Sequence, residues 1–397
     1  MRTRWHTAAT GNIPTHGNVR LDMREVEAVV IGAGQAGLSA AHHLKRLGID
    51  FVVLDANDAP GGAWQHRWDS LTMADVHGVA DLPGMPAPDE ASPTPSNVVI
   101  PAYFGAYERH FDLPVERPVR VLRVEALDAD PDGWLVVTTS VGTWRTRSIV
   151  NATGTWDAPF VPFYPGIGDF AGEQFHTATY PGPDHLRGKR VLVVGGGASA
   201  VQFLGELAPI ADVAWATRRE PVWRAPGSIS GEGRGSGDRR GLAEEAGRAA
   251  VALVEERVAA GLPPRSVVSV TGLMLRPQER EAERMGVYAR RRPMFERIER
   301  DGVRWADGTT QAFDVILGAT GFRPAIGHLA PLGLRTPAGG VQLRAPRDPR
   351  TFTTSVADPR VHFVGYGPSA STIGANRAGR VAAVAVRDQL RRVSAVA

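Results

Sequence analysis

Val26-Glu27-Ala28-Val29-Val30-Ile31 is a compact apolar run of the kind a strand covered on both faces requires. It passes through Gly32-Ala33-Gly34-Gln35-Ala36-Gly37 into Leu38–Leu47, whose apolar spacing predicts a helix closed by Gly48. Phe51–Leu54 predicts the next strand, ending at Asp55. Between about 120 and 150, turn signals at Asp132-Gly133 and Val141-Gly142 divide an alternating pattern into a three-stranded antiparallel meander. The opening pattern then restarts. Arg190–Val194 leads through Gly195-Gly196-Gly197-Ala198-Ser199-Ala200 into a helix reaching about Leu207, and Val213–Ala216 comes next as a strand closing on Thr217-Arg218-Arg219. One β-α-β unit of nucleotide-binding type therefore occurs twice.

Smaller echoes support the duplication. Ile149-Val150-Asn151-Ala152-Thr153-Gly154 resembles Ile316-Leu317-Gly318-Ala319-Thr320-Gly321, an apolar strand ending in Ala-Thr-Gly each time, as if the chain crossed between domains there. The expected plan is a flexible arm over 1–24, a first nucleotide unit over 25–160, a second over 161–310, and a return to the first over 311–397. Within the second unit, Pro226–Gly241 reads as a mobile Gly-rich loop and Leu242–Ala260 as an amphipathic helix. Arg290-Arg291-Arg292 stands among glutamates and reads as a solvated connector, not a nucleic-acid patch.

Composition narrows the function classes. Lys+Arg 45 against Asp+Glu 42 leaves a net charge of only +3, carried almost wholly by arginine because Lys45 and Lys189 are the only lysines. No polycation for nucleic acid is implied. Cysteine is absent, which removes thiolate nucleophiles, redox disulfides, iron–sulfur ligation and cysteine zinc sites. No apolar stretch reaches the ~18–20 residues of a membrane span, and the first 25 residues contain no apolar signal core. The expectation is a cytoplasmic enzyme with no metal and no membrane partner. Gly182–Lys189 imitates a phosphate loop with one residue too many, and Asn151-Ala152-Thr153 is a sequon at a strand end that reads as buried.

The two glycine turns lead to different residues. In the first, Gly32 allows the tight turn, Gly34 lets backbone N–H groups approach a pyrophosphate, and Gly37 permits close helix–strand packing. Asp55 would accept hydrogen bonds from ribose hydroxyls and repel a 2′-phosphate, which suits FAD or NAD. In the second, Ala200 replaces the third glycine, and Thr217, Arg218 and Arg219 stand where the acid would be. Guanidinium groups there grip a 2′-phosphate and select NADPH. Two different nucleotide sites in one chain predict one resident flavin and one exchanging nicotinamide, their rings meeting at the domain interface.

The remaining motifs carry a family resemblance over roughly residues 26 to 385. Gly61-Gly62-Ala63-Trp64 resembles the Gly-Gly-x-Trp of flavin-containing monooxygenases. Phe170-Ala171-Gly172-Glu173-Gln174-Phe175-His176-Thr177-Ala178-Thr179-Tyr180 fits their Phe-x-Gly-x(3)-His-x(3)-Tyr fingerprint, with Tyr180 where the related Baeyer–Villiger enzymes carry Trp. Ala319-Thr320-Gly321-Phe322-Arg323-Pro324 is similar to the late Ala-Thr-Gly-(Tyr/Phe)-Arg-Pro, and Gly365 to Gly379 to the terminal flavin-contacting turn.

The resemblance implies an α/β fold of glutathione-reductase type, two Rossmann-like domains with the FAD domain interrupted by the NADPH domain. It implies that NADPH reduces FAD and that O2 adds to the flavin C4a. The hydroperoxide then oxygenates a soft nitrogen or sulfur nucleophile of a small molecule. The alternatives are a flavin reductase or oxidase passing electrons to a partner or to O2, and Baeyer–Villiger oxidation of a ketone. A homodimer is compatible with this reading. His176 is expected to support the linker, not to act as an acid or base. Flavin and nucleotide contacts are expected from Gly32, Gly34, Gln35, Ala36, Gly37, Asp55, Gly62, Trp64, Ala152, Thr153 and Gly154, with Thr320, Gly321, Gly365, Thr372 and Ile373 from the late segments. Gly195, Gly197, Ser199, Ala200, Thr217, Arg218 and Arg219 form the nicotinamide set. Many relatives have an active-site Asn soon after Gly-Gly-x-Trp; this chain has none before Asn97, and Asp75 or His77 is the expected flavin-proximal substitute. Tyr366 stands where disulfide-reductase relatives place an Asp. The substrate pocket is expected from Met73–Pro95 and from Ser228–Gly241.

Overall fold

The computed structural model describes residues 23–76, 78–89, 91–130, 132–223, 252–264, 272–273, 275–344 and 351–396. The arm over 1–22, His77 and the Gly-rich loop at 226–241 lie outside the described residues.

Two sheets organise the chain, the first mixed and the second parallel. The first is ordered β3 (Val115–Glu116), β2 (Phe51–Leu54), β1 (Arg24–Ile31), β6 (Thr143–Asn151), and β6 divides along its length. Its first half pairs antiparallel with β5 (Leu135–Thr139) and through it with β4 (Val121–Ala126); its last three residues pair parallel with β15 (Val361–Phe363). A strand from near the end of the chain thus completes the first sheet. The second sheet is parallel throughout, in the order β10 (Arg292–Pro293), β9 (Asp212–Thr217), β8 (Arg190–Val194), β14 (Val315–Gly318), β7 (Glu173–His176). A small antiparallel sheet of β11 (Arg297–Glu299), β12 (Gly302–Arg304) and β13 (Thr310–Ala312) lies beside it.

Helix α1 (Gln35–Arg46) begins directly at the first glycine turn, and α3 (Ala198–Leu207) at the second. Between them in the chain, α2 (Ser96–His110) packs on the Gly62–His66 turn. Helices α4 (Pro277–Arg284) and α5 (Thr372–Val396) complete the core, α4 against α3 and α5 against α1. The central strands are uniformly apolar because both faces are covered: Val191, Leu192, Val193, Ala28, Val29 and Val30 are all fully buried.

The unit boundaries differ from those expected. The second sheet does not end at residue 310; Val315–Gly318 is its fourth strand, so the chain leaves it only at Ala319-Thr320-Gly321. The helical stretch 252–259 also changes sides. Val258 joins the cluster around Tyr366, and a methyl on Gly367 would press on Val258, so this stretch packs on the returning C-terminal segment. Burial of the apolar stripe decides its place, which chain order alone does not show.

Candidate active site

The two glycine turns sit at the C-terminal ends of β1 and β8, where an open parallel sheet binds ligands. At the first, a side chain on Gly32 (φ +98°) would come 2.8 Å from the Ala152 carbonyl oxygen, and one on Gly37 would collide with the Gly32 carbonyl. At the second, Gly195 meets the Ala319 carbonyl in the same way. Each Ala-Thr-Gly therefore forms the wall against which a glycine turn is pressed. Neither Gly34 nor Gly197 caps its helix with a side chain, which leaves the first N–H groups of α1 and α3 pointing at the turn for an anion. Gly62 touches the first turn directly: a methyl on it would lie 2.8 Å from the Gly34 Cα. The backbone cradle fits a pyrophosphate at both ends.

Further walls come from the end of the chain. Gly365 (φ +71°) lies against Ala36, and Gly379 lets α5 close onto Ser39 and Ala40 of α1. Gln35 donates to Asn376 Oδ1 at 3.2 Å and to the Ala80 carbonyl at 3.1 Å, while Ala80 N–H donates to Thr372 Oγ1 at 3.2 Å. The N-termini of α1 and α5 are thereby drawn side by side. Ile373, 77 % exposed, is the largest apolar group at the start of α5. Tyr366 accepts the Val341 N–H at 3.0 Å and anchors the terminal turn in the place of the acid.

The charge partners of the two nucleotide ends are opposite. Asp55 is buried at the end of β2, but it is not a free carboxylate: Arg117 Nε donates to it at 2.9 Å and Asn57 Nδ2 at 3.0 Å. Arg117 in turn forms a two-pronged pair with Glu108 at 2.8 and 2.5 Å. One cation between two carboxylates leaves the group net negative, and although Oδ1 accepts both the side chain and the backbone N–H of Asn57, Oδ2 keeps a second lone pair for a ribose hydroxyl. Arg117 and Glu108 are the support that sequence motifs did not reveal. At the other end Arg218 and Arg219 are exposed, whereas Thr217 is buried and spent on the protein, donating to the Arg219 carbonyl at 2.7 Å. Its hydroxyl also takes Arg291 Nη1 at 3.0 Å. Thr217 is thus a structural clasp, and Arg291, whose Nη2 also pairs with the exposed Glu220 at 3.0 Å, joins the arginine pair through β10. Within the run Arg290–Arg292, Arg290 is exposed as a solvated connector requires, whereas Arg292 lies 4.0 Å over the Trp305 ring and pairs with Asp307 at 2.7 Å.

Between the sheets the two crossings run together. Phe160 N–H donates to Gly321 O, Arg323 N–H to Ala158 O and Ala325 N–H to Gly154 O, at 2.8 to 3.0 Å. Thr153 and Thr320 are turned into this ladder, onto Ala325 O at 2.9 Å and Phe160 O at 2.5 Å, and so brace the linkers. Methyl groups on Gly154 and Gly321 would meet open space, so the ladder presents its bare backbone toward the crevice. His176 is buried; Ala178 N–H donates to Nδ1 at 3.2 Å, so Nε2 carries the proton toward Gly321 O at 3.1 Å. Burial holds its pKa below the ordinary histidine value. Trp156 stacks on Phe322 at 4.9 Å, joining the two linkers through their side chains.

Asp75 is placed at the seam with α3 instead of being held free. Its carboxylate accepts from Thr72 Oγ1 at 2.5 Å, and its carbonyl takes Gln202 Nε2 at 3.3 Å. Arg276 Nη2 donates to Val76 O at 2.8 Å, and Tyr180 pairs with Glu206 at 2.6 Å. Burial raises the pKa of Glu206 and of Glu279, and the charge of Asp75 adds to both shifts. Segment 81–86 lines a cavity of about 710 Å³ with His43, Asn376, Arg377 and Arg380.

Comparison with known proteins agrees with this geometry. The pyridine nucleotide-disulphide oxidoreductase family matches residues 29–230. The chain is 34 % identical to a flavin-containing monooxygenase from Stenotrophomonas maltophilia, covering 94 % of this chain and 99 % of that one with a TM-score of 0.73. It belongs to the flavin-containing monooxygenase family. An uncharacterized oxidoreductase of Bacillus velezensis is 31 % identical over 198 residues, 50 % of this chain and 56 % of its own. An indole-3-pyruvate monooxygenase of Oryza sativa subsp. japonica is 35 % identical over 176 residues, 44 % of this chain and 43 % of its own. The chain spans about half the length of the first curated relatives it matches. Family members use FAD and NADPH, and the absence of cysteine leaves the disulfide chemistry in the wider family's description without its reacting group. No described helix is long and apolar enough to cross a membrane, and no metal-ligand cluster occurs among the described residues.

Proposed function

We propose that the protein is an NADPH- and O2-dependent flavin monooxygenase acting on a soft nitrogen or sulfur nucleophile of a small molecule. FAD is assigned to the first site, its pyrophosphate on Gly32–Gly37 and the N-terminus of α1, its ribose on Asp55. NADPH is assigned to the second, its pyrophosphate on Gly195–Ala200 and its 2′-phosphate on Arg218, Arg219 and Arg291. The single observation that carries this reading is the pairing of opposite charge sets. A net-negative Asp55 group and three guanidinium groups stand at the ends of two otherwise alike glycine turns. When bound, the flavin supplies electron transfer and oxygen activation; the chain's own part is to hold the two nucleotides face to face across the braced linkers. Tyr180 in the linker fingerprint favours nitrogen or sulfur oxygenation over ketone oxidation.

The overall reaction consumes NADPH, a proton and O2, places one oxygen atom on the substrate and releases NADP+ and water. Purified holoprotein turning over NADPH with amine and sulfide probes under 18O2 is the test. A product carrying one labelled atom per NADPH is expected. Hydrogen peroxide released one-for-one with NADPH across the probe set would replace this reading with the oxidase. One observation favours that second reading: Asp75, the expected substitute for the missing Asn, is tied to Thr72 at the seam.

A further inference from the structure

Among the described residues, Arg117 is neutralised by Asp55 and Glu108, and Arg360 by Asp358. Arg145 and Arg276 share with Arg67 an Nε that is buried without a partner, but their terminal nitrogens are used, on Glu25 and on the Val76 carbonyl. Arg67 has no such bond. Its Nε is buried without a partner, and its guanidinium donates no hydrogen bond to any described residue. Burial alone lowers its pKa, to about 10, with no carboxylate opposing the shift, and it remains a cation at neutral pH. Its Cζ lies 5.6 Å from the centre of the Trp64 ring and 4.7 Å from that of Trp156. Two indole faces attract the charge but accept none of the five N–H donors.

The place is as telling as the missing partner. Trp64 belongs to the turn whose Gly62 touches Gly34. Trp156 comes just after the Ala-Thr-Gly of the first sheet and stacks on Phe322, which comes just after that of the second. Trp68, one residue beyond Arg67, packs at 4.8 Å on Phe203 of α3 and at 5.6 Å on the linker residue Tyr180. Arg67 therefore stands where the C-terminal ends of both sheets converge, the crevice in which two bound nucleotides bring their rings together.

We propose that Arg67 is the counter-charge of the flavin ring, held unpaired by the protein for the negative charge the ring gains on reduction. The inference rests on the assignment of FAD to the first site. Hydride transfer from NADPH carries two electrons and one proton to oxidised flavin; NADP+ is left on one side and a singly negative ring on the other. A fixed cation beside the ring favours the reduced form, and aromatic walls keep water from screening it. The N–H groups at the start of α5 add a dipole; Arg67 adds a full charge.

The experiment is spectroelectrochemical titration of the holoprotein, comparing wild type, Arg67→Met and Arg67→Lys. Arg67→Met is expected to shift the reduced-to-oxidised equilibrium at least tenfold toward oxidised, ~30 mV more negative for a two-electron couple. Arg67→Lys should recover most of that shift. A potential unchanged in Arg67→Met with full FAD occupancy overturns the proposal. So does an unchanged potential accompanied by lost discrimination between phenylacetate and phenylacetamide, which would make Arg67 a substrate-carboxylate site. If Arg67→Met does not retain FAD, sulfite titration of Arg67→Gln and Arg67→Lys decides, because sulfite and oxidised flavin form an anionic adduct. Affinity roughly tenfold weaker in Arg67→Gln but not in Arg67→Lys supports the counter-charge, and equal affinities overturn it. Wild-type protein that carries no FAD at all would fail the flavin assignment itself, before Arg67 is tested.

Discussion

At the scale of single residues, what a position lacks is as informative as what it carries. Gly37 is needed because any side chain would collide with the Gly32 carbonyl at the head of α1. Gly37→Ala is expected to push α1 off the turn and strip the protein of flavin, read as a fall in visible absorbance per polypeptide. Asp55→Ala removes the acceptor and leaves Arg117 with Glu108 alone; purified variant with wild-type FAD content would exclude the ribose assignment. At the other nucleotide end, charge-assisted bonds contribute roughly 1.5–3 kcal/mol each. Arg218→Ala and Arg291→Ala should therefore each weaken NADPH about ten- to hundredfold while sparing NADH. Equal losses for both nucleotides, measured as KM or Kd ratios, would remove the phosphate grip. Arg291 carries the sharper test, since it reaches that position only through the pairing of β10 with β9.

At the scale of elements, the paired linkers are the part on which the geometry turns. His176 holds the end of β7 to Gly321, using its neutral Nε2–H tautomer, and Thr153 and Thr320 clamp the crossing from both sides. His176→Ala removes a buried ring, leaves the Ala178 N–H unsatisfied and leaves the Gly321 carbonyl with the Phe160 N–H alone. A loss of about 2–4 kcal/mol in unfolding free energy is expected. If the linker role is right, flavin reduction by saturating NADPH slows while the Kd for NADPH barely moves. An unchanged reduction rate in a destabilised variant would confine His176 to stability.

For the molecule as a whole, buried histidines set the response to acid. Burial lowers the pKa of His176, and takes His43, His328 and His362 down to about 4. The unfolded chain protonates these rings near pH 6.5, whereas the native state refuses the proton until the pH is well below that. The unfolded state then binds more protons, so stability is full above pH 6.5 and falls as the pH drops from 6.5 toward 4. The melting temperature should decline steeply between pH 6.5 and 5, and His328→Gln should flatten the decline. A melting temperature that holds level over that interval would show that these rings titrate normally in the fold.

Much of this architecture was legible along the chain, for a definite reason. Strand, glycine turn and helix are local: the apolar runs, the Gly-x-Gly spacing and the acid or arginine beyond it lie within about 25 residues, so both strand–turn–helix units and the opposite charges that follow them could be read directly. The Ala-Thr-Gly crossings were legible because they repeat. Tertiary structure decided what depends on contacts between distant segments. It moved the second crossing beyond Val315–Gly318, carried the stretch 252–259 to the C-terminal segment, and brought Arg291 to Thr217. It also enclosed Asp55 with Arg117 and Glu108, turned Thr217, Thr153 and Thr320 inward as braces, and left Arg67 between two indoles without an acid. Whether a charged or hydroxyl side chain is committed to the protein or kept for a ligand is a question of its neighbours in space. Those neighbours come from other turns of the chain, and residue type and spacing carry no record of them.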